Sequence, residues 1–423
     1  MSTAIFSAII ITVLVTLILV ILLLVVKAKI TPSGTVKIDI NDGKKVLDVA
    51  QGGDIMHTLA EEGIFLPSAC GGKANCGQCK VQMIEGGGEI LDTEKPHFNR
   101  KQIKEGMRLG CQVKVKEDLK IRIPDSTLSV KKLECEVISN HNVASFIKEF
   151  TIRIPDGEHL DFKSGEYIQI DVPKGTFDYK DIDVDEPYRA TWEHYGFFDL
   201  KCVNPEDTVR AYSMANYPAE GQVIKLNVRI ATPPFDRNAP KGSNKLLPVN
   251  PGIASSYVYT RHPGDKVTVS GPFGDFLLPE NDPIETEYVF VGGGAGMAPL
   301  RSHIMHLFKT LRTKKEVHFF YGARALVEAF YLEDFAEIEK EFPNFHFHLA
   351  LDRPDPAADA AGVKYTAGFV HNVMNETYLK NHEAPEDIKY FMCGPPMMVA
   401  SVNALLDSLG VAPESILYDN FGG

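Results

Sequence analysis

Four cysteines have the types and spacing of iron–sulfur ligands. Cys70, Cys76 and Cys79 occur in one glycine-rich loop as C-x5-C-x2-C, and Cys111 follows later in the chain. Glycines suit such a loop, because a chain that wraps a two-iron cluster needs positive φ angles and amides free to bond the sulfurs. These residues therefore predict a [2Fe-2S] cluster held by four thiolates.

Two other uses of the cysteines compete with a cluster. A structural zinc site normally pairs its thiolates as two short C-x2-C units, rather than as one long loop and a distant residue. Disulfides need an oxidising compartment, and the chain contains 7 cysteines, an odd number. Both alternatives fit the pattern less well than the cluster does.

A second group of residues has the chemistry of a flavin site. Four consecutive residues carry it, namely Arg210, Ala211, Tyr212 and Ser213. The arginine supplies a permanent charge for a pyrophosphate, the tyrosine a flat face for the flavin ring, and the serine a hydroxyl for the region of N5. Gly252, Ser255 and Ser256 offer amides and hydroxyls for the same pyrophosphate. An ordinary strand with a solvated arginine is the alternative.

A glycine-rich turn joins a short apolar strand to a helical stretch, which is the order found in nucleotide-binding folds. Its members are Gly292, Gly293, Gly294, Gly296 and Met297. The fingerprint G-x-G-x-x-G is not met, because Met297 and Pro299 stand where its last glycine would be, and no P-loop lysine follows. A plain tight turn therefore remains the alternative to a dinucleotide site.

Residues at the ends of later predicted strands favour NADH as the nucleotide. Arg324, and Cys393 followed by Gly394 and Pro395, stand where parallel sheets bind ligands. A 2′-phosphate would need basic or hydroxyl groups, whereas Arg324 is followed by an apolar stretch and later by Glu333. We therefore expect NADH rather than NADPH.

Length and charge bound the classes of protein that can hold these sites. A chain of 423 residues is too long for one core, so about two to four domains are expected. The net charge of −12, from 44 basic and 56 acidic residues, argues against a nucleic-acid partner.

The amino-terminal segment predicts one transmembrane helix. Residues 4–26 carry no charge and, at about 1.5 Å per residue, would extend about 34 Å as a helix. A cleaved signal peptide is disfavoured, because the run is too long and lacks both a preceding basic residue and a small-x-small cleavage site. Lys27 and Lys29 follow the run, so the positive-inside rule places the rest of the chain in the cytoplasm.

Patterns around the cysteines predict a small sheet with one covering helix over residues 31–129. Val36 to Ile40 alternate as a strand, and Asp54 can cap a helix that ends near Gly63. With Cys111 in place, this domain resembles a ferredoxin of the β-grasp fold, which belongs to the α+β class. Its five-residue first gap departs from the plant pattern and is similar to adrenodoxin-like spacing.

Short strands separated by turn residues predict an antiparallel β-barrel over residues 130–280. Gly271 to Gly274 follow one of these strands, after the Arg210 and Gly252 groups, and this order resembles the FAD domain of the ferredoxin–NADP reductase family. Residues 173–209 form a longer insertion than a barrel needs, with many aromatics. This insertion either packs its own aromatics or forms a docking surface for a partner.

Alternating strands and helices over residues 281–423 predict an α/β domain with a doubly wound parallel sheet. This domain resembles the nicotinamide half of the same reductase family. The resemblance implies that Cys393 lies near the carbon that transfers the hydride, beside Ser213. It also implies that Phe421 covers the flavin and moves aside for nicotinamide, although a phenylalanine that only closes the sheet is the alternative.

The whole chain, with an anchor at residues 1–30, resembles a protein family that belongs to the sodium-translocating NADH:quinone oxidoreductases. The resemblance implies that NADH gives a hydride to FAD and that single electrons then pass through the [2Fe-2S] cluster. Other subunits in a bacterial inner membrane would carry them to quinone and move sodium. Two alternatives stay open, an NADH-dependent reductase that feeds an oxygenase and a zinc-bearing anchor protein without enzymatic activity.

Overall fold

The computed structural model describes Phe6 and residues 10–22, 34–68, 70–240 and 242–419. Backbone contacts divide the chain into two compact units. The first unit consists of Met1–Pro67 and Gly72–Ser129, and the second of Ser68–Gly71 and Val130–Gly423. The second unit therefore contains both the predicted barrel and the predicted parallel sheet.

Helix α1 covers residues 10–22. Among the residues that the structure describes, none belongs to a helix long and apolar enough to cross a membrane. The predicted transmembrane helix over residues 4–26 is therefore not supported, and its residues 4–5, 7–9 and 23–26 lie outside the described ones.

The first unit is built on a five-stranded sheet. Its strands are β1 (Thr35–Ile40), β2 (Lys45–Ala50), β3 (Lys80–Glu85), β4 (Met107–Leu109) and β5 (Leu119–Arg122), and its helices are α2 (Ile55–Glu61) and α3 (Arg100–Lys104). The strand order is β2-β1-β5-β3-β4, in which β1 and β5 are parallel and the other neighbours antiparallel. This mixed sheet with a covering helix is the predicted β-grasp arrangement.

Local sequence accounts for the elements of this unit. In β1 the side chains of Val36, Ile38 and Ile40 are buried, and the residues between them face outward. The carboxylate of Asp54 accepts a hydrogen bond from the backbone amide of His57 at 3.1 Å, so it caps α2 as predicted.

A buried ion pair holds β4, the strand that leads into the fourth predicted ligand cysteine. The fully buried carboxylate of Glu94 accepts hydrogen bonds from the Arg108 guanidinium at 2.8 Å and from the Leu109 amide at 2.8 Å. Arg108 Nη1 donates to the carbonyl oxygens of Gly87 and Gly88. Because these partners satisfy both charged groups, neither charge is left buried and unpaired.

The second unit begins with a six-stranded antiparallel barrel, as predicted. Its strands are β6 (Lys131–Ala144), β7 (Ile147–Arg153), β8 (Tyr167–Val172), β11 (Thr208–Ser213), β12 (Val223–Arg229) and β13 (Lys266–Phe273). They follow the order β11-β8-β13-β6-β7-β12. A bridge between Met214 and Leu226 joins the two end strands and closes the barrel.

The insertion at residues 173–209 packs its aromatic residues against the barrel. It contains β9 (Gly175–Asp178), α4 (Glu186–Tyr195) and β10 (Lys201–Asn204). Trp192 is fully buried in the barrel's hydrophobic core, and its indole donates to the carbonyl of Ser145 at 2.7 Å. This geometry corresponds to the first of the two alternatives for the insertion, a segment that packs its own aromatics.

The carboxyl-terminal part of the second unit is a six-stranded parallel sheet. Its strands are β14 (Tyr288–Gly293), β15 (Val317–Ala323), β16 (Phe345–Leu351), β17 (Thr366–Ala367), β18 (Lys389–Cys393) and β19 (Ile416–Asp419). They follow the order β17-β16-β15-β14-β18-β19 and are all parallel. The order reverses between β14 and β18, which confirms the predicted doubly wound topology.

Helices cover both faces of this sheet. They are α6 (Met297–Met305), α7 (Leu332–Glu341), α8 (Pro356–Ala360), α9 (Val370–Thr377) and α10 (Pro396–Ser408), while α5 (Ile253–Tyr259) belongs to the barrel. Separate hydrophobic clusters fill the two faces, one around Phe290 and Phe319 and the other around Val291 and Phe320. The near-continuous apolar strands of this domain follow from burial on both faces.

Arg301 on α6 joins the barrel to the parallel sheet within the second unit. It is only 4 % exposed, and its guanidinium contacts Glu220 at 3.0 Å, Asp334 at 2.7 Å and the carbonyl of Ala215 at 2.9 Å. Because Glu220 and Ala215 lie in the barrel and Asp334 lies on α7, one side chain bonds to both parts.

Candidate cofactor sites

The cysteine loop has the backbone conformation that its glycines predict. Gly71, Gly72 and Gly77 have φ angles of 64°, 84° and 67°, and Ala74 also has a positive φ of 60°. The imidazole Nε2 of His97 lies 2.7 Å from the carbonyl oxygen of Ala74 and supports this strained position. The loop therefore bends repeatedly through the left-handed region between the first and third cysteines.

Space beside the loop excludes larger residues at two of the glycines. A Cβ atom at Gly77 would lie 2.4 Å from the His97 ring, and one at Gly72 would lie 2.9 Å from the methyl group of Met56. These glycines are thus required both for backbone conformation and for close packing.

The thiols have the chemistry of a metal-ligand set. Cys79 and Cys111 are buried, whereas Cys70 and Cys76 are half-buried. The hydrogen bond between Cys79 and Cys111, together with burial and the charge of Cys76, raises the pKa of the Cys79 thiol. Thiolates are the ligands of iron–sulfur clusters, and a bound metal ion deprotonates the thiols that coordinate it.

Strand β11 carries the residues predicted to bind the flavin. Arg210 pairs in register with Ile170, and Ser213 with Tyr167, so the strand is fixed along its whole length by β8. The guanidinium of Arg210 donates to the carbonyl of Val209 at 2.8 Å. Arg210, Ala211 and Tyr212 are all half-buried, so each keeps some contact with solvent.

The hydroxyls of Ser255 and Ser256 are already occupied by protein partners. Ser255 Oγ accepts from the amide of Ala231 at 3.1 Å, and Ser256 Oγ donates to the carbonyl of Gly252 at 2.8 Å. Both side chains are buried in α5, where Ser256 also contacts the hydroxyl of Tyr179 at 3.0 Å. The backbone amides at the start of α5, rather than these hydroxyls, are the groups left to face a pyrophosphate.

Ser213 of the barrel meets the parallel sheet through Asp419, a residue that the sequence did not single out. The Ser213 hydroxyl donates to the Asp419 carboxylate at 2.7 Å. Asp419 ends β19 and lies in register with Cys393 at the end of β18. The predicted hydride-transfer residues Ser213 and Cys393 are therefore brought together around one carboxylate.

Burial sets the protonation of this group of residues. It raises the pKa of Asp419, although the hydrogen bond from Ser213 opposes part of that effect. Burial also raises the pKa of the Cys393 thiol, with a further contribution from the Asp419 charge, so this thiol stays neutral at physiological pH. The predicted partner Phe421 lies outside the described residues.

The glycine turn after β14 serves the packing of the sheet. A Cβ atom at Gly296 would lie 2.2 Å from the carbonyl oxygen of Cys393, and one at Gly394 would lie 2.6 Å from the Met398 methyl group. A Cβ atom at Gly293 would lie 3.0 Å from the carbonyl oxygen of Gly322. These contacts explain why the turn contains so many glycines without the G-x-G-x-x-G fingerprint.

The remaining predicted nucleotide residues differ in their accessibility. Met297 is fully buried, and its side chain packs into the hydrophobic core. Arg324 and Pro395 are exposed at the carboxyl ends of β15 and β18, and Glu333 is exposed in the first turn of α7. Gly292 and Gly294 flank Gly293 at the point where the strand order reverses.

Two parts of the chain match described protein families. Residues 38–116 match the family described as "2Fe-2S iron-sulfur cluster binding domain". Residues 290–404 match the family described as "Oxidoreductase NAD-binding domain". The first match covers the cysteine loop and Cys111, and the second covers most of the parallel sheet but not β19.

Curated relatives align with nearly the whole chain. The subunit named F of the Na(+)-translocating NADH-quinone reductase of Pseudomonas aeruginosa strain UCBPP-PA14 is 49% identical over 399 residues, which cover 94% of this chain and 94% of the relative. The protein of the same name from Yersinia enterocolitica is 50% identical over 398 residues, with 94% of each chain covered.

Solved structures share the fold of this chain at lower identity. Amycolatopsis cytochrome P450 reductase GcoB has a TM-score of 0.62 and 23% identity, and the alignment covers 92% of this chain and 99% of that one. The ferredoxin reductase in carbazole 1,9a-dioxygenase has a TM-score of 0.56 and 20% identity, covering 92% and 98%. The likeness to these two structures concerns the fold alone.

Proposed function

This chain belongs to the family of Na(+)-translocating NADH-quinone reductase subunits that are named F, and from that premise we propose that it is the electron-input subunit of such a complex. It takes electrons from NADH and delivers them toward quinone, while partner subunits couple the transfer to sodium translocation. The observation that carries this proposal is the meeting of two predicted hydride-transfer residues at Asp419, which accepts a hydrogen bond from Ser213 and is the register partner of Cys393. That meeting joins the barrel predicted to hold FAD to the sheet predicted to hold NADH.

In this proposal, each of the three cofactors is bound by a different part of the chain. Cys70, Cys76, Cys79 and Cys111 hold the [2Fe-2S] cluster in residues 31–129. FAD would be held in residues 130–280 by the amides after Gly252 and by four residues of β11, namely Arg210, Ala211, Tyr212 and Ser213. NADH would be held in residues 281–423 by eight residues, namely Gly292, Gly293, Gly294, Gly296, Arg324, Glu333, Gly394 and Pro395. For Phe421, which lies outside the described residues, the proposed role is to cover the flavin. When bound, FAD supplies the chemistry that accepts a hydride and releases single electrons.

The chain's own groups prepare this transfer. Arg210 offers a charge to the FAD pyrophosphate from a strand fixed by its neighbour β8. Ser213 is held in one orientation by its bond to Asp419, which keeps the hydroxyl beside the predicted position of the flavin N5. The buried, neutral thiol of Cys393 excludes water from the other side of this group.

We further propose that residues 4–26 anchor the chain in a bacterial inner membrane, with residues 31–423 on the cytoplasmic side. The support is the uncharged apolar sequence and the lysines at 27 and 29. An anchor of this kind keeps the cluster-bearing part near the membrane subunits that accept its electrons.

Addition of NADH to the purified full chain tests the proposed function. Without oxygen, NADH should bleach the visible flavin absorbance and produce the EPR signal of a reduced two-iron cluster, whereas NADPH at equal concentration should act far more slowly. Cys111→Ala should abolish the EPR signal and leave both FAD content and NADH:ferricyanide turnover in place. A full chain that carries both cofactors yet remains oxidised after NADH is added would contradict the proposal.

A further inference from the structure

Three metal-binding side chains converge at the end of the parallel sheet opposite the nucleotide residues. Glu316 immediately precedes β15, His318 is the second residue of β15, and His346 is the second residue of β16. One donor atom from each lies within 4.8 Å of the others. His318 and His346 are register partners, so the parallel pairing of two strands places them side by side.

The donor atoms have separations close to those of a coordination sphere. Two ligands at about 2.1 Å from a tetrahedral ion lie roughly 3.4 Å apart. Glu316 Oε1 is 3.6 Å from His318 Nε2 and 2.6 Å from His346 Nε2. Of these two pairs the second must open by less than 1 Å on the roughly 3.4 Å scale, and both of its side chains are more than one-third exposed and can move. The donor atoms of His318 and His346 lie within 4.8 Å of each other.

The deeper ligand is oriented by its surroundings. His318 Nδ1 lies 3.1 Å from His348 Nε2, and the His318 ring stacks on Tyr378 at 3.9 Å between centroids. When the proton of the His318 ring is on Nδ1 and is donated to His348, the Nε2 atom keeps its lone pair. This Nε2 atom faces Glu316 and is the one that can bind a metal. This is the arrangement by which metal-binding histidines are held in one tautomer and one orientation.

We propose that Glu316, His318 and His346 bind one divalent ion of the Zn²⁺ class, with water in the remaining position. Two imidazoles and one carboxylate suit a borderline ion, whereas Ca²⁺ and Mg²⁺ prefer oxygen ligands alone. The ion enters from solvent beside Glu316 and His346, because His318 is the buried member of the group. It links the starts of β15 and β16 and so stabilises the sheet at that end.

The site lies apart from the proposed redox chemistry. His318 and Gly322 are four residues apart on β15, which separates the ion from the nucleotide end by about 13 Å at about 3.3 Å per residue. None of the three ligands belongs to the groups proposed to bind the cluster, FAD or NADH. Loss of the ion should therefore leave NADH:ferricyanide turnover unchanged, which separates this proposal from the proposed function.

Calorimetric titration of the full chain with Zn²⁺, carried out with its cluster intact as judged by visible absorbance, tests the site. The wild-type protein should bind one equivalent and show a higher midpoint of thermal unfolding with Zn²⁺ than with EDTA. Glu316→Gln and His346→Gln should each weaken that affinity by about tenfold or more, since loss of a ligand exceeds the usual effect of an outer partner. His371→Gln, a histidine on α9 outside the group, is the matched control and should bind like the wild type.

Two results would overturn the inference. One is a wild-type protein that takes up no Zn²⁺, and the other is undiminished affinity in both Glu316→Gln and His346→Gln. Glu316→Gln changes a half-buried side chain with little change in its size, so its circular dichroism and turnover serve as the check that the variant is folded.

Discussion

At the scale of single residues, the hydrogen bond between Ser213 and Asp419 connects two parts of the proposed redox site. The bond is 2.7 Å long, and burial raises the pKa of the carboxyl group that accepts it. A carboxylate is a stronger acceptor than a carboxylic acid, so the position of the serine hydroxyl depends on the charge of Asp419. Asp419 is therefore a positioning residue for Ser213.

Removal of this bond should lower the rate of NADH:ferricyanide turnover. We expect Ser213→Ala and Asp419→Asn each to lower kcat by about 10- to 100-fold, because a misplaced hydroxyl no longer supports the transition state. Since both changes break one interaction, the double variant should lose little more than either single variant. Losses that multiply in the double variant would show that the two residues act separately.

The same bond predicts a pH dependence. Because its pKa is raised, Asp419 becomes protonated at a higher pH than an ordinary aspartate, whose pKa is about 3.9. Wild-type turnover should therefore begin to fall at a higher pH on acidification than the titration of an ordinary aspartate would give. Asp419→Asn cannot titrate and should lack this acid limb in its kcat profile. An identical acid limb in the variant would assign it to another group.

Lys148 predicts a change in stability with pH. Its side chain is almost fully buried in the barrel, where its ammonium donates to the Asn140 carbonyl, and burial lowers the pKa to about 8. Between about pH 8 and pH 10.5 the unfolded chain binds more protons than the folded one, so this group makes stability rise with pH. The slope is at most about 1.4 kcal/mol per pH unit.

Differential scanning calorimetry of the wild type and Lys148→Met over this pH range measures the contribution. The methionine fills a similar volume without a charge, so the variant should be the more stable protein at pH 7 and should lose the upward slope. A constant difference between the two proteins at every pH would remove Lys148 as its source.

At the scale of elements, the ion pair of Glu94 and Arg108 fixes β4 and thereby the approach to Cys111. We expect Arg108→Met to destabilise the first unit by about 3–5 kcal/mol, because it leaves the Glu94 carboxylate buried without its partner. Iron content should fall while FAD content, which depends on the barrel, should not. Arg122→Met breaks an exposed pair with Asp42 in the same sheet and should cost at most about 1 kcal/mol.

Iron and flavin analysis of the two purified variants decides this prediction. Equal iron content in Arg108→Met and Arg122→Met would mean that β4 keeps its place without the buried pair. A loss of FAD in Arg108→Met would mean that the barrel depends on this strand as well.

The elements were predictable where one periodic pattern dominated. Strands β8 (Tyr167–Val172) and β16 (Phe345–Leu351) follow runs of apolar residues that turn signals bound, so the sequence predicts short strands in both regions. Strand β14 continues through Gly292 and Gly293, two residues beyond the apolar run, because the close approach to β15 and β18 needs glycine there.

The contacts between elements were not predictable, because they join residues far apart in sequence. Asp419 and Ser213 are separated by 206 positions, and Arg301 and Glu220 by 81. No local pattern identifies such partners. The hydroxyls of Ser255 and Ser256 illustrate the same limit, since their residue types suggested a ligand while tertiary contacts within the barrel occupy both.

At the scale of the whole molecule, hydride transfer and delivery to quinone make different demands on the chain. In the proposed function, transfer from NADH needs only the second unit, whereas delivery in a membrane needs the cluster held close to its acceptor. Deletion of residues 1–26 should therefore leave NADH:ferricyanide turnover unchanged and abolish quinone reduction in membranes that lack the native chain, because the effective concentration from the tether is lost.

Reconstitution of such membranes with equal amounts of full and shortened chain measures this effect. Full quinone activity from the shortened chain at a one-to-one ratio would make the anchor dispensable. A diffusible reductase that feeds a soluble acceptor would then be the better account of the protein.

The Gly296 contact has a consequence for how substitutions in this chain are interpreted. Any side chain there collides with the Cys393 carbonyl, at 2.2 Å for a Cβ atom, and would push the turn after β14 away from the end of β18. A deep mutational scan selected only for soluble, folded protein should therefore reject every replacement at this position, with no nucleotide present. Rejection of every replacement at Gly296 would therefore reflect the close packing of this turn against the end of β18. A role in nucleotide binding would have to be tested at neighbouring residues that tolerate substitution when folding alone is selected.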